Sequence, residues 1–322
     1  MLVGLFTPKV RRVQEASNRT RSQNNIRQIG VAIQNYHDGH NQRFPTLVDF
    51  GEGAPTGHGY ASLFFQILPQ MESSDTYYKF PTDNPPSYCD SSNGPAKTQI
   101  KAYINPADPS GEENISAQVN VSDPTSENKF PATFSGTYAT TSYAANGMLF
   151  QPNMGIREMK DGTSNTIMLA ERYRACKKSD QPDDVIYNLW GLGAYSASVP
   201  GFATPLPTEA KYPTAKPPLE QFVPPTSDDG VPTPPGDVVG KLGSKTMSYK
   251  IIAQEMYAPG GFQVAPRGKV FCGPRVPQTP HVGGMIVCLG DCATRTITPS
   301  VTPNTFWAAV TPAGGETLGT DW

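Results

Sequence analysis

Apolar side chains recur at helical spacing near the start of the chain. Val10, Val13, Ile26, Ile29, Ile33 and Tyr36 form one series, with Ala16 and Ala32 filling the same stripe. The pattern predicts a single helix of about 30 residues, on the order of 45 Å long. Arg11, Arg12, Arg19, Arg21 and Arg27 lie among and around the apolar positions. Residues 1–40 therefore read as a spine helix and 41–322 as one α+β domain. In that domain Tyr60 to Gln70 predicts a short helix or buried strand ending at Pro69, and Ile100–Ile104 a short strand. Thr137–Phe150 and Thr166–Glu171 predict strands near the core. Gly284–Gly290 and Ala293–Thr298 predict two strands around a tight turn at Asp291-Cys292. Prolines crowd residues 200–235, which predicts an extended excursion rather than regular structure.

The wording of these segments carries a resemblance. Gln14-Glu-Ala-Ser-Asn-Arg19, Asn24-Asn-Ile-Arg-Gln-Ile-Gly-Val-Ala-Ile-Gln-Asn-Tyr-His-Asp38 and Phe44-Pro45 are similar to the opening of a large pilin-like family. Phe65-Gln-Ile-Leu-Pro-Gln-Met-Glu72, Ser142-Tyr-Ala-Ala-Asn-Gly147 and Ile156 through Glu171 resemble its central motifs. His281-Val-Gly-Gly-Met-Ile-Val-Cys-Leu-Gly-Asp291 resembles its closing H-x9-D-G motif. The family is that of the type IV pilin-like proteins with a prepilin N-terminal methylation leader. It is abundant in planctomycete-type bacteria, and its main domain has no assigned function. The resemblance implies a pilin-like α+β fold, in which a long N-terminal α-helix packs on an antiparallel β-sheet with long Pro- and Gly-rich loops over it. Three departures stand out. Met1–Phe6 reads as only the tail of the family's hydrophobic half-helix, Cys292 replaces the motif's glycine, and Asn105 stands where the family carries a cysteine. No apolar run approaches the ~20 residues that span a bilayer.

Composition narrows the class further. Hydrophobic residues are 37% and charged residues 17%, while Pro 33 and Gly 30 are high, which argues for a loop-rich, sheet-containing protein of envelope or extracellular type. The net charge of −2 hides a basic N-terminal arm, where seven Lys and Arg in residues 1–43 face only Glu15 and Asp38. An arm of that kind suits a membrane-proximal segment, and equally a solvated helix face paired to an acidic body. Nothing in the overall balance suggests nucleic acid. Five cysteines lack C-x-x-C spacing, so zinc-ribbon and thioredoxin-type sites find no support. Cys272 with Cys288 or Cys292 is the preferred disulfide, because they are close in sequence and flank a hairpin; buried free thiols are the other reading.

Candidate chemistry is sparse. His37 and His40 fit a helix C-terminal cap better than a metal pair, since Gly39 ends the helix between them. His281 and Asp291 are expected to face one another across the hairpin base, pinning a turn or orienting a side chain. Asp161, Thr163, Asn165 and Glu171 offer oxygens for calcium, as loops of some pseudopilins do, although the spacing is not an EF-hand; a self-capping turn is the alternative. No nucleophile elbow, phosphate loop or glycosidase pattern accompanies them.

The sequence therefore leads us to expect a non-enzymatic pilin- or pseudopilin-like subunit of a cell-envelope or extracellular filament. Self-association would run through the spine-helix stripe, with membrane attachment in a leader-bearing form. Truncating that stripe is expected to abolish assembly while the body still folds. The alternative is a secreted or surface-anchored module that binds a glycan or small solute through Trp190, Tyr195, Phe202 and Tyr212.

Overall fold

The computed structural model describes residues 7–47, 61–79, 94–111, 115–121, 132–177, 185–193, 198–203, 206–207, 237–242, 245–250, 261–266, 272–273 and 276–322. Cys89, Tyr195, Tyr212 and most of the Pro-rich excursion lie outside them. The architecture is α+β, with one long helix and a mixed sheet at its centre.

The long helix, α1, runs Thr7–Gly39. It lies against a five-stranded sheet built from β3 (Tyr143–Asn146), β4 (Ile167–Glu171), β7 (Gly201–Phe202), β13 (Met285–Leu289) and β14 (Thr294–Ile297). Their order is β14-β13-β4-β3-β7. The first four strands pair antiparallel, whereas β7 joins β3 in parallel, so the sheet is mixed rather than purely antiparallel as the sequence had suggested. A short strand entering beside β3 after a long connection is free to take either direction, and periodicity carries no information about which.

Alternation along the strands divides the core in two. On β13, Ile286 and Cys288 join the cluster containing Ile26, Ile29 and Ile33 of α1, and Tyr143 and Ala145 of β3 point the same way. Met285, Val287 and Leu289, with Ala144, face the opposite cluster. There they meet Phe306, Ala309 and Val310 of α4 (Pro303–Val310), whose first turn is capped by Thr302. The result is three layers, α1 over sheet over α4. Both faces of the sheet are therefore covered, which is why β4 and β13 read as continuous apolar runs instead of alternating ones.

Smaller elements extend this centre. Helices α2 (Leu63–Gln66) and α3 (Ser74–Tyr78) flank the tight turn at Leu68–Gln70. The Ile100–Ile104 strand expected from sequence is instead a 3-10 turn at Lys101–Tyr103. Tyr103 is buried there and its hydroxyl donates to the Phe64 carbonyl, so a single tertiary bond overrides a weak β signal. Peripheral hairpins pair β1 (Ile115–Val121) with β2 (Ala132–Tyr138), and β5 (Ala175–Lys177) with β6 (Val185–Tyr187). Strands β8 (Leu206–Pro207), β9 (Asp237–Leu242) and β10 (Lys245–Lys250) form a small antiparallel sheet, and β11 (Gln263–Val264) pairs with β12 (Gln278–Thr279) in parallel. A disulfide joins Cys176 to Cys272 across 96 residues. It overturns the expected pairing of Cys272 with Cys288 or Cys292, both of which are free thiols: Cys288 is held in β13 facing α1, while β5 brings Cys176 to Cys272. Among the described residues no helix is long and apolar enough to cross a membrane.

Candidate functional site

Helix α1 presents two different faces, and the difference follows from its own geometry. Positions 15, 19, 22, 26, 29, 33 and 36 recur at alternating spacings of four and three, which keeps them on one side. The last four are Ile26, Ile29, Ile33 and Tyr36, all at or below 2% exposure. The first three are polar, yet they too meet the body. Arg19 donates to Thr296 Oγ1 at 2.9 Å, Ser22 donates to Glu171 Oε1 at 2.7 Å, and Glu15 Oε1 lies 3.2 Å from His281 Nδ1.

Val10 and Val13 do not belong to this stripe. They are 59% and 70% exposed, because at 3.6 residues per turn Val13 sits about 220° around the helix from Ile26. The expected six-residue stripe thus divides into four residues inside the chain's own core and two outside it.

The densest polar site lies where the stripe turns polar. Glu171, at the end of β4, is 1% exposed. Its Oε1 accepts from Ser22 Oγ and from Asn105 Nδ2, both at 2.7 Å. Its Oε2 accepts from Thr279 Oγ1 at 2.6 Å and from the Ile286 N–H at 3.0 Å. His281, fully buried, brings Nε2 to 3.5 Å from Glu171 Oε1 while Nδ1 faces Glu15. One carboxylate therefore ties α1, the 105 loop, β12 and β13 together. Burial raises the Glu171 carboxyl above its ordinary value, against the opposing pull of His281 and of the hydrogen-bond donors. Beside it, Tyr143 Oη lies 3.1 Å from Ser22 Oγ, and burial pushes that phenol far up.

A second carboxylate organises the neighbouring Asn105-Pro-Ala-Asp-Pro-Ser110 loop. Asp108 accepts from the Ser110 N–H at 2.9 Å, from Ser142 Oγ at 2.9 Å and from the Arg174 N–H at 3.0 Å. Asn105, where the resembled family has cysteine, bonds Glu171 and accepts from the Ala107 N–H at 2.9 Å. An amide thus supplies a turn and a tether at once.

These contacts reassign several residues that the sequence singled out. Glu171 does not join Asp161, Thr163 and Asn165 in a calcium loop. Asp161 lies beyond the other end of β4, and its carboxylate accepts from the Gly314 and Gly315 N–H groups at 2.8 and 2.9 Å. Asn165 Nδ2 donates to the Asp161 carbonyl at 2.9 Å, and Asp291 N–H to the Thr163 carbonyl at 3.2 Å. The loop caps itself and the C-terminal tail. His281 and Asp291 do not face one another either, because β13 separates them. Asp291 instead accepts from the Ala293 N–H at 2.9 Å. The positive φ at that turn falls on Cys292, at 63°, the position where the resembled motif carries glycine. Its thiol is lowered by a hydrogen bond from Cys288, whose own thiol is raised by the same bond and by burial.

His40 Nδ1 meets the Tyr36 carbonyl at 2.8 Å and its ring stacks on Tyr36 at 3.7 Å, the helix-capping role. Among the described residues no cluster of three or more His, Cys, Asp or Glu side chains is placed to hold a metal. Of the aromatics expected to stack on a ligand, Trp190 and Phe202 are buried at 0% and 1% exposure and serve the core.

Ser22, Asn105, Asp108 and Thr279 were not foreseen. The available signal was Ser22 itself, a polar residue on the buried helix stripe, which requires a partner inside. An imidazole beside a buried carboxylate is the raw material of acid–base chemistry. Here, among the described residues, the carboxylate's lone pairs are taken by four donors. What the arrangement accomplishes is to lock one helix onto one sheet.

An α+β chain with a seam-locked N-terminal helix is the class this structure defines. The chain belongs to the family of proteins of unknown function called DUF1559, which matches residues 11–304. No curated protein and no solved structure matches it.

Proposed function

We propose that the protein is a non-enzymatic, pilin- or pseudopilin-like structural subunit that self-associates through the outward face of α1 in a cell-envelope or extracellular assembly. The observation that carries this reading is the placement of Val10 and Val13. Two large apolar side chains stand in solvent on a helix whose opposite side is fixed to the body at Glu15, Arg19 and Ser22. A protruding, rigidly held helix with an apolar outer edge is suited to packing against the same helix of a second copy. Burying each valine on association is worth about 1.5 kcal/mol or more. Arg11 and Arg12 flank the valines and are exposed, which suits an anionic envelope surface beside the assembly. The pilin-like wording of residues 14–38 supports the same reading.

The test is the double substitution Val10→Asp with Val13→Asp. Sedimentation velocity is expected to show higher-order species for the parent and a single small species for the variant, with the same urea midpoint for both. Equal sedimentation of parent and variant at all concentrations contradicts the reading.

A further inference from the structure

A cleft opens beside α1, next to the polar seam but separate from it. It encloses about 520 Å³ and is walled by Arg21 and Asn24 of α1, Lys101, Ile104 and Arg174. Three cationic side chains thus come together from three separate pieces of chain. Arg174 is 9% exposed, and its buried Nε has no hydrogen-bond acceptor among the described residues. Its ionic partner among the described residues is Asp108, with Oδ2 at 3.9 Å from Nε. The guanidinium is laid over bare backbone at Gly111, where an added Cβ would lie 1.6 Å from Nε. A buried cation with one donor unsatisfied and a single long ion pair is costly unless an anion comes to it. Arg21 and Lys101 are exposed and form no ion pair among the described residues.

Charge narrows the ligand. Asp108 offsets one of the three cations, leaving an excess of two positive charges, which matches sulfate or phosphate better than a lone carboxylate. Arginine forks and a lysine ammonium are the side chains that recognise such oxyanions. The cleft also continues into a larger groove of about 930 Å³ that shares Asn24, Asn25, Gln99 and Lys101. The walls of that groove mix amides and hydroxyls, among them Gln28, Ser73 and Thr98, with apolar Val31, Met71 and Ile100, and carry Arg27, Glu72 and Asp75 as well. Hydrogen-bonding groups beside apolar patches suit a hydroxyl-bearing body with apolar faces, and Glu72 and Asp75 offset Arg27 and Lys101, so the groove offers no excess positive charge to a second anionic group. We propose that this cleft binds a tetrahedral oxyanion, sulfate or phosphate, carried by a small hydroxylated molecule whose body lies in the adjoining groove. The site is independent of the assembly face, since Val10 and Val13 line neither cavity.

The experiment is isothermal titration calorimetry with four probes: inorganic phosphate, inorganic sulfate, glucose 6-phosphate and glucose. Each is titrated into the parent protein and into Arg21→Gln with Lys101→Gln, two exposed positions outside the core. We expect saturable binding of the anions, weakened by added sodium chloride, and at least threefold tighter for glucose 6-phosphate than for phosphate. Binding should fall tenfold or more in the double variant while its melting temperature stays unchanged, and glucose should give no heat. Anion binding that the double variant leaves untouched overturns the site, as does no binding of any anion. Equal affinity for phosphate and glucose 6-phosphate overturns the assignment of the groove.

Discussion

At the scale of single residues, Glu171 has the largest predicted effect. Four donors from four segments converge on a side chain that is 1% exposed. Glu171→Ala strands those donors inside the protein and is expected to cost about 3–5 kcal/mol, read as a lower urea midpoint. Its pH dependence has a definite sign. Burial raises the folded-state carboxyl above the ordinary value of 4.5, so the native state keeps this proton where the unfolded chain has lost it. That contribution is full below 4.5 and disappears as pH rises through the folded value. Unfolding free energies measured from pH 4 to 8 should therefore decline on the alkaline side more steeply for the parent than for Glu171→Gln. A steeper decline in the variant would reverse the assignment. From sequence, this residue had the look of a metal ligand because its loop is rich in oxygens. Only the tertiary arrangement shows that β4 carries it away from that loop and into the seam.

At the scale of the element, α1 explains both what the sequence made legible and what it did not. Its existence, length and C-terminal end followed from periodicity and from the glycine at position 39. So did the burial of Ile26, Ile29, Ile33 and Tyr36. The assignment of Val10 and Val13 to the same stripe failed because helical spacing between near neighbours does not preserve phase over a polar gap of a dozen residues. The consequence is practical. Ile29 and Ile33 are core residues at 0% exposure, so charging them unfolds the body instead of testing assembly. Ile29→Ala alone is expected to cost about 2–5 kcal/mol in chemical denaturation. Gly30 supplies a second check on how closely helix and sheet approach. A Cβ there would stand 2.6 Å from Cys288 Sγ and 3.2 Å from Met168 Cε. Alanine would gain up to about 1 kcal/mol of helix propensity, yet Gly30→Ala should lower the melting temperature, because the sheet must give way. An unchanged or raised melting temperature would mean that the helix sits further from β13 than described.

At the scale of the whole molecule, the α+β class and most of the central strands could be read from short apolar runs bounded by turn residues, the β13–β14 hairpin most plainly. Sheet order, the parallel entry of β7 and the Cys176–Cys272 bond could not, since each depends on segments far apart in sequence. That disulfide closes a loop of 96 residues, so removing it with Cys176→Ala and Cys272→Ala should cost about 4.7 kcal/mol in the chain-entropy account. Thiol titration under denaturing conditions, before and after reduction, should rise by the two thiols of this pair. The central claim concerns the molecule's association with itself, and negative-stain electron microscopy of the purified protein beside Val10→Asp with Val13→Asp tests it most directly. Ordered filaments or tubes from the parent, with only dispersed particles from the equally stable variant, are the predicted result. Dispersed particles from both, or unaltered filaments from the variant, would contradict it.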